Sequence, residues 1–167
     1  MNKFLGIGVL GALALGAIKL LNMQKLSDKL VSSLSNPRIY KVNLSGITFK
    51  TEISLQNPTS NTMTITKPVV TLTTNGKVIT SNSPEQKTFE IKSLGTTMID
   101  TIELSVSWTT LAKYVTGIVG KVPAIMAAFK KSDLNSVAKA LAIPLEMQYT
   151  LYADNMYYES QPEILVK

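Results

Sequence analysis

Hydrophobic and polar positions alternate most regularly between Ile47 and Leu55. Ile47, Phe49, Ile53 and Leu55 share one parity, interrupted only by the β-branched Thr51. Thr48, Lys50, Glu52 and Ser54 lie between them. Period two over this length predicts a strand with one face in a core. The run stops at Asn57-Pro58-Thr59. Pro58 cannot donate a ladder hydrogen bond and biases Asn57 towards an extended backbone. The Asn57 side chain can close a local turn on the main chain.

The same logic extends in both directions. Tyr40, Val42 and Leu44 alternate before a Ser45-Gly46 turn. Met63 to Leu72 predicts the next strand, with Pro68 placing it at an edge or a bulge. Asn75-Gly76 signals a type I′ hairpin returning through Lys77-Val78-Ile79. Phe89 and Ile91 mark a short strand, and Ser93-Leu94-Gly95 turns it. Met98, Ile102, Leu104 and Val106 are expected to line one face of the following strand, with Asp100 at its exposed end. At Trp108 the period changes. Leu111, Val115, Ile118 and Val119 predict a helix, N-capped by Ser107, Thr109 or Thr110 and broken by Gly117, Gly120 and Pro123. Short helices are expected over 124–130 and 134–141, the second capped by Ser132 or Asp133. Ile143, Leu145, Met147, Tyr149 and Leu151 restore alternation. After a turn at Ala153-Asp154-Asn155, residues 156–159 and 164–166 can close the last hairpin. Some seven short strands separated by turns predict a mainly β protein, an antiparallel β-sandwich. The helical insert 108–141, before the last hairpin, is expected to cover an open end or edge.

The N-terminal pattern is different. Phe4 to Ile18 is uncharged, and Phe4, Leu5, Ile7, Val9, Leu10, Leu13, Leu15 and Ile18 read as a membrane anchor. These 15 residues are short for a span, but a snorkelling Lys19 would extend the segment to Met23, which spans. Ala12-Leu13-Ala14 and Ala14-Leu15-Gly16 match cleavage patterns. A retained anchor is expected instead, because no polar stretch precedes them and apolar character continues past them. Gly8, Ala12 and Gly16 form a small-residue stripe suited to helix packing. Met23, Leu26, Leu30 and Leu34 predict an amphipathic continuation of a long N-terminal helix, ending near Asn36-Pro37. It would be either a juxtamembrane helix, with Lys19, Lys25 and Lys29 at the headgroups, or a stalk. The expected layout is therefore an anchor over 1–36 and a sandwich over 37–167.

Composition narrows the chemistry. The chain has neither Cys nor His, which removes thiolate nucleophiles and the commonest general base and metal ligand. Of the net charge of +6, all belongs to residues 1–50, where seven basic residues face Asp28 alone. Basic and acidic residues balance over 51–167, and 16 of the 17 cations are Lys, so nucleic acid is not the expected partner. Asp100 and Glu103, three apart on a strand, are expected on opposite faces rather than as an acid–base pair. No catalytic, cofactor-binding or metal-ligating residue is assigned. Tyr149, Tyr152, Tyr157 and Tyr158 read as cross-strand packing in the final hairpin, or alternatively as a binding surface. Val122, Ile125, Met126 and Phe129 read as core cover, with an apolar groove for acyl chains or a partner helix as the alternative.

From Ile47 to Leu111 the chain resembles the late-embryogenesis-abundant type-2 family, the water-stress and hypersensitive-response domain. The residues that carry the likeness are Ile53-Ser54-Leu55-Gln56-Asn57-Pro58-Thr59, Pro68-Val69-Val70-Thr71-Leu72 and Asn75-Gly76-Lys77-Val78-Ile79. The resemblance implies a fibronectin- or immunoglobulin-like sandwich, an N-terminal membrane tether, no catalytic residues, and roles in stress protection, membrane association or lipid handling. The expected function is a non-enzymatic, membrane-tethered structural or interaction module. Its partners would be the lipid bilayer, through the N-terminal helix, and other copies of itself or other assembly proteins. The alternatives are a structural component of a larger assembly, such as a membrane-containing virion, and a lipid-binding carrier. The location would be a cell envelope or a viral membrane. The lysines after the apolar run lean the positive-inside rule towards a cytoplasmic body.

Overall fold

The computed structural model describes residues 30–153 and 156–166, with backbone alone for Leu134, Asn135, Met156 and Val166. The anchor run, its Gly8/Ala12/Gly16 stripe, Lys19, Lys25 and Lys29 lie outside the described residues, as do Asp154 and Asn155 of the final turn.

Among the described residues, nine strands form two antiparallel sheets. The first contains β1 (Val31–Val42), β2 (Gly46–Gln56) and β6 (Thr96–Ser107), in the order β1-β2-β6. The second is centred on β3 (Met63–Thr74) and β7 (Leu145–Ala153). β4 (Lys77–Ser81) and β5 (Thr88–Ile91) pair with separate stretches of β3. β8 (Met156–Glu159) and β9 (Glu163–Val166) likewise both return to β7. Ile47, Phe49, Ile53 and Leu55 of the first sheet and Ile65, Val70, Leu72, Met147 and Leu151 of the second fill one shared core. Each is buried because the pleat sends its parity inward.

Several expectations need correction. Residues 31–36 are strand, not the end of an N-terminal helix. Leu30 and Leu34 lie four apart, a spacing that suits one helix face and one strand face equally. Both are buried in the sandwich. Pro37 ends no helix: it lies at a register shift between Ser35 and Arg38, where Asn36 takes φ +51°. The bulge is tolerated because β1 is an edge strand.

Pro68 also marks a bulge, but β3 is central rather than an edge. The β3–β7 register shifts between Thr66 and Val69, and on the other side β5 ends where β4 has not begun. Asn82 covers the gap. Its Oδ1 accepts from the Val70 amide at 2.6 Å, and its Nδ2 donates to the Pro68 carbonyl at 3.2 Å.

In β6 the inward residues are Ile99, Ile102, Leu104 and Val106, whereas Met98 is 53% exposed. An extra residue between the Ile53–Ile99 and Thr51–Ile102 pairs switches the parity. Asp100 and Glu103 consequently both face outward.

The insert contains α1 (Trp108–Leu111), α2 (Ile118–Lys130) and α3 (Leu134–Leu141). Ser107 caps α1 by accepting from the Thr110 amide, and Gly117, at φ +71°, separates α1 from α2. Asp133 caps α3. Gly120 and Pro123 do not break α2, which runs through both. Pro123 forfeits one bond to the Val119 carbonyl, and both residues lie on the exposed side, where water can replace it. The insert covers one end of the sandwich. Trp108 Nε1 donates to the Asn43 carbonyl beside the β1–β2 turn, and the Tyr114 hydroxyl donates to the Val78 carbonyl on β4.

Candidate functional site

The end of the sandwich opposite the insert is built around Asn57. Continuing the inward parity of β2, its side chain is fully buried. Oδ1 accepts from the Thr59 amide and hydroxyl, while Nδ2 donates to the carbonyls of Asn61 and Ile91. All four hydrogen-bonding positions of the amide are used, so Asn57 is a structural corner rather than a ligand-binding group. The loop 92–95 joins it: the Leu94 amide donates to the Thr59 carbonyl, and the Asn57 amide to that of Gly95. Leu94, held at φ +54°, leaves its side chain 75% exposed.

The outer face of the first sheet carries charge in cross-strand pairs. Arg38 grips Glu52 with two parallel bonds of 2.9 Å, and Thr101 donates to the same carboxylate. The Arg38 guanidinium holds the Glu52 carboxyl below its ordinary range. Lys50 pairs with Glu103 and lies 3.4 Å from the Tyr40 ring centroid. Asp100 pairs with Lys87, which lowers its pKa. Glu52 and Asp100 are thus held as anions, each by a different cation, and neither is poised to carry a proton.

The tyrosines of the last hairpin are brought together as packing pairs. Tyr152 faces its cross-strand partner Tyr157 with rings 6.3 Å apart, and Tyr149 lies at the same separation from Tyr158. Tyr149 is buried, and its hydroxyl crosses between the sheets to donate to Ser32 Oγ at 2.8 Å. Burial pushes its pKa up to about 12. Ser160 fills the gap between β8 and β9, its Oγ accepting a hydrogen bond from the Tyr149 amide and its own amide donating to the Tyr149 carbonyl.

Among the residues of the apolar run, Val122 and Ile125 are buried in the common core, and Met126 and Phe129 pack half-buried against it. A cleft of about 210 Å³ does open beside the insert, lined by Thr74, Asn75, Lys77, Lys113, Tyr114 and Ile143. Sequence reasoning missed it because the Asn75-Gly76 turn and Lys113 are far apart in the chain. The Thr74 hydroxyl is buried without a hydrogen-bond partner. Among the described residues no three acidic side chains converge as metal ligands, and no helix is long and apolar enough to cross a membrane.

No family model and no curated protein matches the sequence. Solved structures do match. A protein from Archaeoglobus fulgidus is similar at a TM-score of 0.44 and 10% identity, over 81% of this chain and 90% of that one. A candidate late embryogenesis abundant protein is similar at a TM-score of 0.45 and 15% identity, over 97% of this chain and 86% of that one. The β-glucuronidase of Bacteroides uniformis is similar at 0.43 and 13% identity over 83% of this chain, which spans 13% of the enzyme's length.

Proposed function

We propose that this protein is a non-enzymatic module tethered to a bilayer by residues 4–23, presenting its sandwich at the membrane surface for interaction with other proteins. One observation carries the reading: the uncharged run from Phe4 to Ile18 is followed twelve residues later by buried Leu30, where the sandwich begins. Among the described residues, the core from Leu30 onward is packed from strands and insert. A bilayer is the partner that suits the 20-residue segment 4–23 once Lys19 snorkels to the headgroups. The absence of Cys and His from the sequence and the pairing of Glu52, Glu103 and Asp100 with cations support a binding role over a catalytic one. Burial of Val122 and Ile125 favours core cover over an acyl-chain groove. The finer likeness to tethered members of the late-embryogenesis-abundant type-2 family belongs to the same proposal. It is supported by the Asn57-Pro58-Thr59 corner and the Asn75-Gly76 hairpin. The site of action would be a cell envelope or a viral membrane.

Flotation of the full chain with liposomes tests the tether. The native sequence is expected to rise with the lipid and resist alkaline carbonate. The double variant Leu10→Arg/Leu13→Arg is expected to remain at the bottom of the gradient with its fold intact by circular dichroism. Equal flotation of both would refute a tether through this segment.

A further inference from the structure

We infer that the Asn57 end of the sandwich rests on the bilayer, with Leu94, Met98 and Val31 touching lipid and the helical insert facing away. This rests on the tether proposed above and adds which surface meets the membrane. The argument begins with a length. Seven residue steps separate Met23, the last apolar residue of the anchor segment, from Leu30. Fully extended, they reach at most about 25 Å. The twelve residues of β1 run roughly 40 Å from this end towards the insert. Turning the domain over, so that the insert touched the same bilayer, would lift Leu30 farther from the membrane than the connection allows.

The surface near Leu30 suits lipid. Val31 is 56% exposed on the outer face of β1, in one row with Gln56 and Thr96. Met98 stands in the next row, two strands away. Leu94 projects from the loop hydrogen-bonded to Thr59. The loops 57–62 and 92–95 at this end contain no acidic residue, and Lys92 is exposed. Exposure alone does not choose the end, since Leu44 and Val119 are exposed at the other. The short connection does.

The native sequence lacks cysteine, so single-cysteine variants of the full chain can be labelled without background. A polarity-sensitive fluorophore is placed by Leu10→Cys, Leu94→Cys, Met98→Cys, Leu44→Cys or Val119→Cys, in phosphatidylcholine vesicles carrying a quencher near the headgroups or deep in the chains. The deep quencher is expected to reach the label at 10. The shallow quencher is expected to quench labels at 94 and 98 several-fold more than those at 44 and 119. Quenching at 10 with no difference among the other four would overturn the docking and leave the tether standing. No quenching at 10 would overturn both. Disulfide-linked dimers of unlabelled Leu94→Cys, with the labelled protein unquenched by lipid, would assign the surface to a second copy instead.

Discussion

Two buried side chains of similar polarity make opposite contributions. Asn57 is buried with every amide position satisfied. Asn57→Ala would strand the Thr59 amide and the Asn61 and Ile91 carbonyls, costing about 2–4 kcal/mol on the usual scale for broken buried networks. Thr74 buries a hydroxyl that nothing receives. Thr74→Val keeps the shape and removes the desolvation cost, so it should raise stability by about 1 kcal/mol in urea unfolding. A loss instead would mean that the hydroxyl serves something in the adjoining cleft. Tyr149 adds a pH dependence. Its folded pKa, about 12, exceeds the ordinary value of 10.0. The stability this provides is fully present below the unfolded pKa and is lost as pH rises through the folded one. Native protein should therefore weaken between pH 10 and about 12 more steeply than Tyr149→Phe. Equal slopes would show that Tyr149 does not govern alkaline unfolding.

At the scale of elements, legibility depended on whether a strand's register was its own. β2 was readable because five inward positions, Thr51 among them, keep one parity. β6 was misread because its bulge is imposed by pairing with β2, a contact no local pattern contains. The Arg38–Glu52 clasp was hidden for a related reason, since it depends on the β1 bulge. The Tyr152–Tyr157 pairing was legible because a tight hairpin fixes its own partners. The repairs at broken edges were invisible in advance: a lone Asn or Ser in a loop carries no sign of which ladder gap it fills. They can be tested together. Asn82→Ala removes the acceptor of the Val70 amide, and Ser160→Ala that of the Tyr149 amide. Each should cost about 1–3 kcal/mol. In native-state hydrogen exchange, the Val70 amide should accelerate only in the first variant and the Tyr149 amide only in the second. Uniform acceleration in both would mean that the gaps are not local.

For the molecule as a whole, the decisive question is where the independently folding unit begins. A helix ending at Pro37 would make residues 30–36 dispensable, and fragments 30–167 and 37–167 would be equally stable. The strand makes them part of the core. Removing them deletes buried Leu30 and Leu34 and the β1 pairing from Val31–Gln56 to Ser35–Glu52. It also removes the Ser32 oxygen that receives the Tyr149 hydroxyl and the Ser35 carbonyl that receives Thr51. Two buried leucines alone correspond to about 4–10 kcal/mol on the scale of Leu→Ala substitutions. That is comparable to the roughly 5–15 kcal/mol that holds a domain of this size together. The fragment 30–167 should therefore unfold cooperatively in urea, followed by the fluorescence of Trp108, the single tryptophan of the chain. The fragment 37–167 should show no native baseline, or a midpoint displaced far towards zero denaturant. Coincident transitions would mean that β1 contributes nothing before Pro37.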